Sequence, residues 1–122
     1  MSAPDHRTES TRLALACSAT GDGGVRLALT GEVDIGTVDQ FREGVGDAMA
    51  ESGVTSVVLD FGELRFLDSS GIAILIGARR QAEERGIEVR IVNCQGTVRH
   101  VLEVTGVYDV FVRDGGAPDG QA

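Results

Sequence analysis

Asp68-Ser69-Ser70-Gly71 sets a carboxylate and two hydroxyls between an apolar strand, 56–61, and an apolar helix that opens at Ile72. Small oxygen-bearing side chains at a helix mouth support two kinds of chemistry. They cap the helix, because a Ser or Asp oxygen accepts hydrogen bonds from the free N–H groups of the first turn. Alternatively a hydroxyl carries a phosphate, which those N–H groups and the positive end of the helix dipole stabilise. Capping is the commoner role.

Catalytic readings of the same residues lack partners. A serine nucleophile needs a base within hydrogen-bond reach and a third group to orient that base. The two histidines are His6, near the N-terminus, and His100, on a predicted helix with no reason to face Ser69. The residues around Ser69 do not form a Gly-x-Ser-x-Gly elbow. Asp34 and Asp68 would make an acid–base pair if a deep pocket held them. Nothing in the pattern suggests one. Gly21-Asp22-Gly23-Gly24 opens no helix and lacks the glycine spacing of a dinucleotide site.

Composition removes further classes. Every basic residue of the 122 is Arg, and the net charge is −8. Without Lys there is no Walker-type phosphate loop, Schiff base or lysine general base. The negative charge argues against nucleic acid and against an anionic membrane surface as partners. Cys17 and Cys94 lie far apart in apolar stretches and read as buried, reduced thiols. No metal-ligand cluster stands out, and no cofactor is expected. No apolar run approaches a membrane span, and a signal-peptide core is missing, so a cytoplasmic location is expected.

The positioning elements follow from periodicity. Residues 1–11 are polar and are expected to be a flexible N-terminus. Leu13, Leu15 and Cys17 alternate with small residues, as do Val25, Leu27 and Leu29, with the Gly21–Gly24 turn between them. This pattern predicts an antiparallel hairpin. Residues 31–34 follow as a loop. A helix fits 37–51, with Val38, Phe41, Val45, Ala48 and Met49 on one face and Thr37 with Gln40 as a capping box.

Val57-Val58-Leu59 reads as a strand covered on both faces. Residues 62–68 form a loop unusually rich in apolar residues. A long helix spans 70–85 and ends at Gly86, a left-handed C-cap. Strand 88–93 follows, then helix 97–105 with Val98, Val101 and Leu102 inward and Gly106 as its stop. Residues 110–112 read as a last short strand, and 114–122 as a flexible polar tail.

A hairpin followed by alternating helices and strands is an α/β pattern, a sheet with at least one parallel pair. The unit joining strand 25–30 through helix 37–51 to strand 56–61 puts both strand ends on one edge. Sites in open α/β sheets lie at that edge. Asp34 and Ser69 therefore become candidates for one shared site.

The helix after Ser69 carries five consecutive apolar residues, 72–76. Ile72, Leu75 and Ile76, joined by the Arg79 stem and Ala82, point one way; Ile74 points opposite. Either the helix is buried on both sides, or Ile74 joins Leu64, Phe66 or Leu67 in an exposed patch beside Ser69 that binds another protein.

Gly31-Glu32-Val33-Asp34, an amphipathic helix, Val57-Val58-Leu59-Asp60-Phe61, and Phe66-Leu67-Asp68-Ser69-Ser70-Gly71-Ile72 stand in the order and distance of a STAS domain. The chain resembles most closely the bacterial anti-sigma factor antagonists, over residues 13–112. That resemblance implies a single STAS-like α/β domain over 12–113, its mixed sheet opened by the β-hairpin and its helices packed on it. It implies a non-enzymatic regulator whose phosphoacceptor is Ser69, with Asp34, Asp68, Ser70 and Gly71 as neighbours. Glu32, Asp34, Leu67, Ser69 and Ile74 are the expected partner-binding residues.

The implied partners are an anti-sigma factor with serine kinase activity and a serine phosphatase that resets the switch. The unmodified protein binds the anti-sigma factor and frees a sigma factor; phosphorylation breaks the complex. STAS-like domains also serve as non-switching scaffolds in stress-signalling and lipid-transport assemblies, where Asp68-Ser69-Ser70 would be a helix cap alone.

Overall fold

The computed structural model describes residues 6–9 and 12–113. The expected tail at 114–122, and the remainder of 1–11, lie outside them. Five strands form one sheet in the order β1-β2-β3-β4-β5. These are β1 (His6–Glu9), β2 (Leu13–Ala19), β3 (Gly24–Val33), β4 (Ser56–Leu67) and β5 (Glu88–Val92).

β2 and β3 make the predicted antiparallel hairpin, with Leu15 opposite Leu29 and Cys17 opposite Leu27. β3 pairs in parallel with β4, and β4 with β5. The sheet is therefore mixed, as expected. Strand β1 departs from the expected frayed terminus: it pairs antiparallel with β2, His6 opposite Cys17 and Glu9 opposite Ala14. Backbone N–H and C=O groups drive such pairing, so a polar side-chain pattern hides it.

The elements around the site are longer than the apolar runs suggest. β3 continues through Gly31, Glu32 and Val33, which the sequence reading treats as loop. β4 continues through Leu67, absorbing most of the expected 62–68 loop. Its register with β3 slips twice. Phe61 and Gly62 together oppose Leu29, and Arg65 is extra between the Gly31–Leu64 and Glu32–Phe66 pairs. Each slip is a bulge that interrupts the two-residue alternation, which is why the segment looks irregular in sequence.

The first bulge is fastened by Asp60. Its carboxylate accepts from the Gly62 N–H at 2.9 Å and from Asn93 Nδ2 at 3.1 Å, and pairs with the Arg26 guanidinium. Three strand systems meet there: Arg26 comes from β3, Asp60 from β4 and Asn93 from the end of β5. Burial pushes the Asp60 carboxyl up. The Arg26, Gly62 and Asn93 donors outweigh it and hold the group below the ordinary carboxylate value.

Helix α1 (Val38–Met49) buries the predicted set Val38, Phe41, Val45, Ala48 and Met49. The capping box does not form. The Thr37 hydroxyl turns back, donating to the Glu32 carbonyl at 2.9 Å and accepting from the Asp34 N–H at 3.0 Å. Gln40 donates to the Leu13 carbonyl at 3.1 Å instead.

Helix α2 (Ser69–Glu84) closes as predicted. The Ile87 N–H reaches the Ala82 carbonyl at 2.8 Å and the Gly86 N–H reaches Glu83 at 3.3 Å, with Gly86 at φ +71°. Those two bonds form a Schellman motif, which needs the left-handed residue. Helix α3 (Gly96–Val104) buries Val98 and Leu102, while Val101 is half-buried.

The predicted strand at 110–112 is instead a π-helical turn, Asp109–Arg113. Only its central Phe111 is fully buried, so the apolar triplet marks a plug and not an alternating strand. One core unites the inward residues of β2–β5 with α1, α2 and α3; Phe41, Phe61 and Phe111 are its largest members. Cys17 and Cys94 are half-buried thiols outside any disulfide, less enclosed than expected. Burial pushes the Cys94 thiol up, away from the reactive thiolate.

Candidate functional site

Register creates the site. Val33 pairs with Leu67 at the ends of β3 and β4, and the Asp68 N–H donates to the Val33 carbonyl at 3.2 Å. Asp34 and Asp68 are the first residues beyond two paired parallel strands. The shared edge read from the topology is present.

Arg12 stands on the same edge. Leu13 opposes Gly31, and the Glu32 N–H donates to the Arg12 carbonyl at 2.8 Å. Gly31 has φ +115°, and a Cβ there would lie 2.1 Å from that carbonyl oxygen. A side chain at position 31 would both strain the backbone and push β2 away.

Asp68 is the N-cap of α2. It accepts from the Ser70 N–H at 2.9 Å and from the Ser70 hydroxyl at 2.5 Å. The capping chemistry is thus carried by Asp68 and Ser70. Ser69, between them, is exposed, and among the described residues its hydroxyl has no hydrogen-bond partner. His100 lies on the exposed side of α3.

Gly71 lets the helix sit this close. A Cβ there would meet Leu67 Cδ1 at 2.4 Å and Val33 Cγ1 at 2.8 Å. Close packing of α2 against both strand ends therefore requires a bare backbone at position 71.

Asp34 is anchored as firmly as Asp68. Its Oδ1 accepts from Arg12 Nη2 at 2.5 Å and from the Gly36 N–H at 2.9 Å, with the Thr37 hydroxyl at 3.4 Å. The sequence reading places Asp34 beside Ser69 and assigns it no cation. Arg12 covers Asp34. Arg65 is exposed and shares a shallow concavity with Arg12 and the half-buried Glu32.

The apolar surface differs from the expected one. Leu67 is 1% exposed, so it belongs to the core and is not available to a partner. Leu64 is buried too, while Phe66 is 40% exposed. Ile74 is half-buried and packs against the core beside Val45 and Met49 of α1. Ile76, placed inward by the sequence reading, is 47% exposed; Ala78 takes the inward position. Helical counting fixes angles around α2 but not the direction from which α1 approaches.

The most exposed apolar side chain at the edge is one the sequence reading passed over. Ile35, between Asp34 and Gly36, is 82% exposed. A lone apolar residue in a short loop leaves no periodic signal.

The arrangement presents an exposed hydroxyl at a helix N-terminus, on the sheet edge where β3 runs out into Asp34 and Ile35. No group of three or more His, Cys, Asp or Glu among the described residues could hold a metal ion. No helix among them is long and apolar enough to cross a membrane.

Comparison with known proteins returns one family. The model of the STAS domain matches residues 17–116. The anti-sigma F factor antagonist of Lysinibacillus sphaericus is 30% identical over 83 residues, 68% of this chain and 71% of that protein. The solved structure of the anti-sigma factor antagonist SpoIIAA in its unphosphorylated form aligns with TM-score 0.69 and 25% identity, covering 86% of this chain and 99% of that one. The phosphorylated form of SpoIIAA from Bacillus aligns with TM-score 0.61 and 28% identity, covering 76% and 84%.

Proposed function

Because the chain belongs to the STAS domain family, among relatives named anti-sigma factor antagonists, we propose that it is a cytoplasmic antagonist that switches partners through Ser69. Unmodified, it binds an anti-sigma factor with serine kinase activity and so releases a sigma factor. The partner binds ATP. The Ser69 Oγ attacks the γ-phosphorus, forming the O–P bond as the bond to the ADP oxygen breaks, and the hydroxyl proton passes to a base of the partner. A serine phosphatase restores the hydroxyl. The chain itself is substrate and ligand, not catalyst.

One observation carries this reading: Ser69 is exposed and unbonded while its neighbour Ser70 is tied to Asp68. A helix that needed only a cap has one without Ser69. SpoIIAA, named for both its unphosphorylated and phosphorylated forms, adds support by family likeness. Phosphate brings about −1.5 to −2 charges and three acceptor oxygens. The helix N-terminus tolerates it, whereas a partner surface packed on Ile35, Phe66 and Ser69 does not.

The test is to mix the protein with ATP and the kinase-like regulator encoded beside it, then read intact mass and map the site. The expected result is one phosphate on Ser69, absent in Ser69→Ala at an unchanged thermal midpoint. Binding of the regulator without any modification would turn the reading to a non-switching scaffold.

A further inference from the structure

Arg12 and Asp34 form a pair whose position gives it a second task. Arg12 leads into β2, Asp34 follows the end of β3 and Ser69 follows the end of β4, so three successive strand ends carry a cation, a carboxylate and a hydroxyl. Adjacent strands lie about 4.8 Å apart, so Arg12 and Ser69 stand two strand spacings apart, roughly 10 Å across the sheet, with a stagger of about three residues along it. Arg12 already spans the first of those steps to reach Asp34.

We infer that Arg12 is a latch that holds Asp34 while Ser69 is unmodified and transfers to the phosphate once Ser69 is phosphorylated. The inference rests on Ser69 being the phosphoacceptor.

Its parts are separately visible. The Arg12 side chain is 46% exposed, whereas that of Asp34 is 17% exposed. Asp34 keeps the Gly36 N–H at 2.9 Å when Arg12 leaves, so it is not stranded. Position 36 clears the path: a Cβ there would stand 2.7 Å from Arg12 Nη2. Asp68 does not compete for the cation, being occupied by Ser70.

Glu32 from β3 and Arg65 from β4 share a concavity with Arg12. The first turn of α2 brings no acid. A phosphate dianion offers the guanidinium fork more charge and more acceptors than one carboxylate oxygen.

The exchange has a consequence for the partner. Asp34 and Gly36 flank Ile35, the most exposed apolar residue of the edge. Departure of Arg12 removes one of the bonds holding that loop in shape. Phosphorylation thereby alters the docking surface as well as adding repulsive charge.

The test installs phosphoserine at position 69 of the full chain by genetic encoding, with no kinase involved, and titrates it by phosphorus NMR. An unperturbed phosphomonoester loses its second proton near pH 6. In the wild type that transition is expected about half a unit to one unit lower than in Arg12→Gln. Arg12→Lys should fall between them, and it supplies the comparison if Arg12→Gln does not fold. Asp34→Asn, which frees the cation, should lower the transition further. Equal transitions in the wild type and both Arg12 variants, with thermal midpoints alike, overturn the latch. That outcome is distinct from failure of the kinase to modify Ser69, which would overturn the reading of the site and leave this titration untouched.

Discussion

Two Arg–Asp pairs, one within β3 and β4 and one just beyond the strand ends, have similarly exposed side chains, 50% and 11% for Arg26 and Asp60 against 46% and 17% for Arg12 and Asp34, and differ in what else depends on the carboxylate. At mid-strand, Asp60 is 8% exposed and its carboxylate serves Arg26, the Gly62 amide and Asn93 together. At the end, the Asp34 carboxylate serves Arg12 and the Gly36 amide of its own loop. The same chemistry is a fastener where groups from β3, β4 and the end of β5 share one buried carboxylate. It is an exchangeable contact where water can replace either partner. Stability should reside in the middle of the strands and recognition at their ends.

Ile35→Glu tests the division most sharply. The side chain is 82% exposed, so the thermal midpoint should stay within about 1 °C. Affinity for the anti-sigma partner should fall about a hundredfold, roughly 3 kcal/mol. Ile74→Glu should do the reverse, losing stability first, because Ile74 packs against the core. Isothermal titration calorimetry paired with thermal melts reads both. A stable Ile74→Glu protein that no longer binds would move the recognition surface onto α2.

Asp60→Ala comes next. It leaves the bulge amide and Asn93 without their acceptor and Arg26 without its partner. The cost should be about 2 kcal/mol, tempered by the half-exposed Arg26, or roughly 10 °C in a domain of this size. Urea unfolding measures it. A loss below about 0.5 kcal/mol would make the two pairs equivalent and end the contrast.

Gly71→Ala probes the joint between the two regions. The added Cβ would press on Leu67 and Val33, both fully buried. Overpacking of this kind costs about 1 to 2 kcal/mol. Since α2 must shift to relieve it, phosphorylation of Ser69 should slow as well. Unchanged stability with normal modification would mean that the edge is softer than its contacts imply.

What could be read from the sequence divides along the same line. Apolar periodicity identified β2, β3, α1, α2, α3 and the Schellman stop at Gly86, because each buries a regular face. The same periodicity failed where backbone geometry overrides it. Two bulges concealed the second half of β4, and a polar strand β1 left no pattern. A plug built on Phe111 imitated a strand. Ser69 and Asp34 were legible because adjacent motifs and parallel topology bring them together. Arg12 was not: its contact with Asp34, 22 residues away, depends on the β2–β3 register and on Gly31 admitting the Arg12 carbonyl. Ile35 stood alone in a loop, and Leu67 looked available only while β4 was thought to end before it.

Acid should distinguish the mid-strand carboxylate in solution. Asp60 is held below its ordinary value of 3.8 in the fold. Its stabilising contribution is therefore complete above that value and is lost as pH falls from about 3.8 through the lower folded value. Asp60→Asn cannot titrate. Its stability should decline less steeply than that of the wild type across this window, followed by urea midpoints at successive pH values. Parallel curves would show that Asp60 does not couple to folding.

The smallest effect expected is the one on which the contrast finally depends. Arg12→Gln removes a half-exposed cation from a carboxylate that retains the Gly36 amide, and exposed ion pairs contribute about 0.2 to 1 kcal/mol. The unmodified variant should therefore lose about 0.5 kcal/mol or less, a shift of a few degrees at most, and the loss should shrink as salt rises. Arg26→Gln at mid-strand should lose more and respond less to salt, because Asp60 is buried beneath it. If Arg12→Gln proved the more damaging of the two, the edge pair would be part of the framework. A group the framework needs cannot be released by each phosphorylation event without loosening the fold.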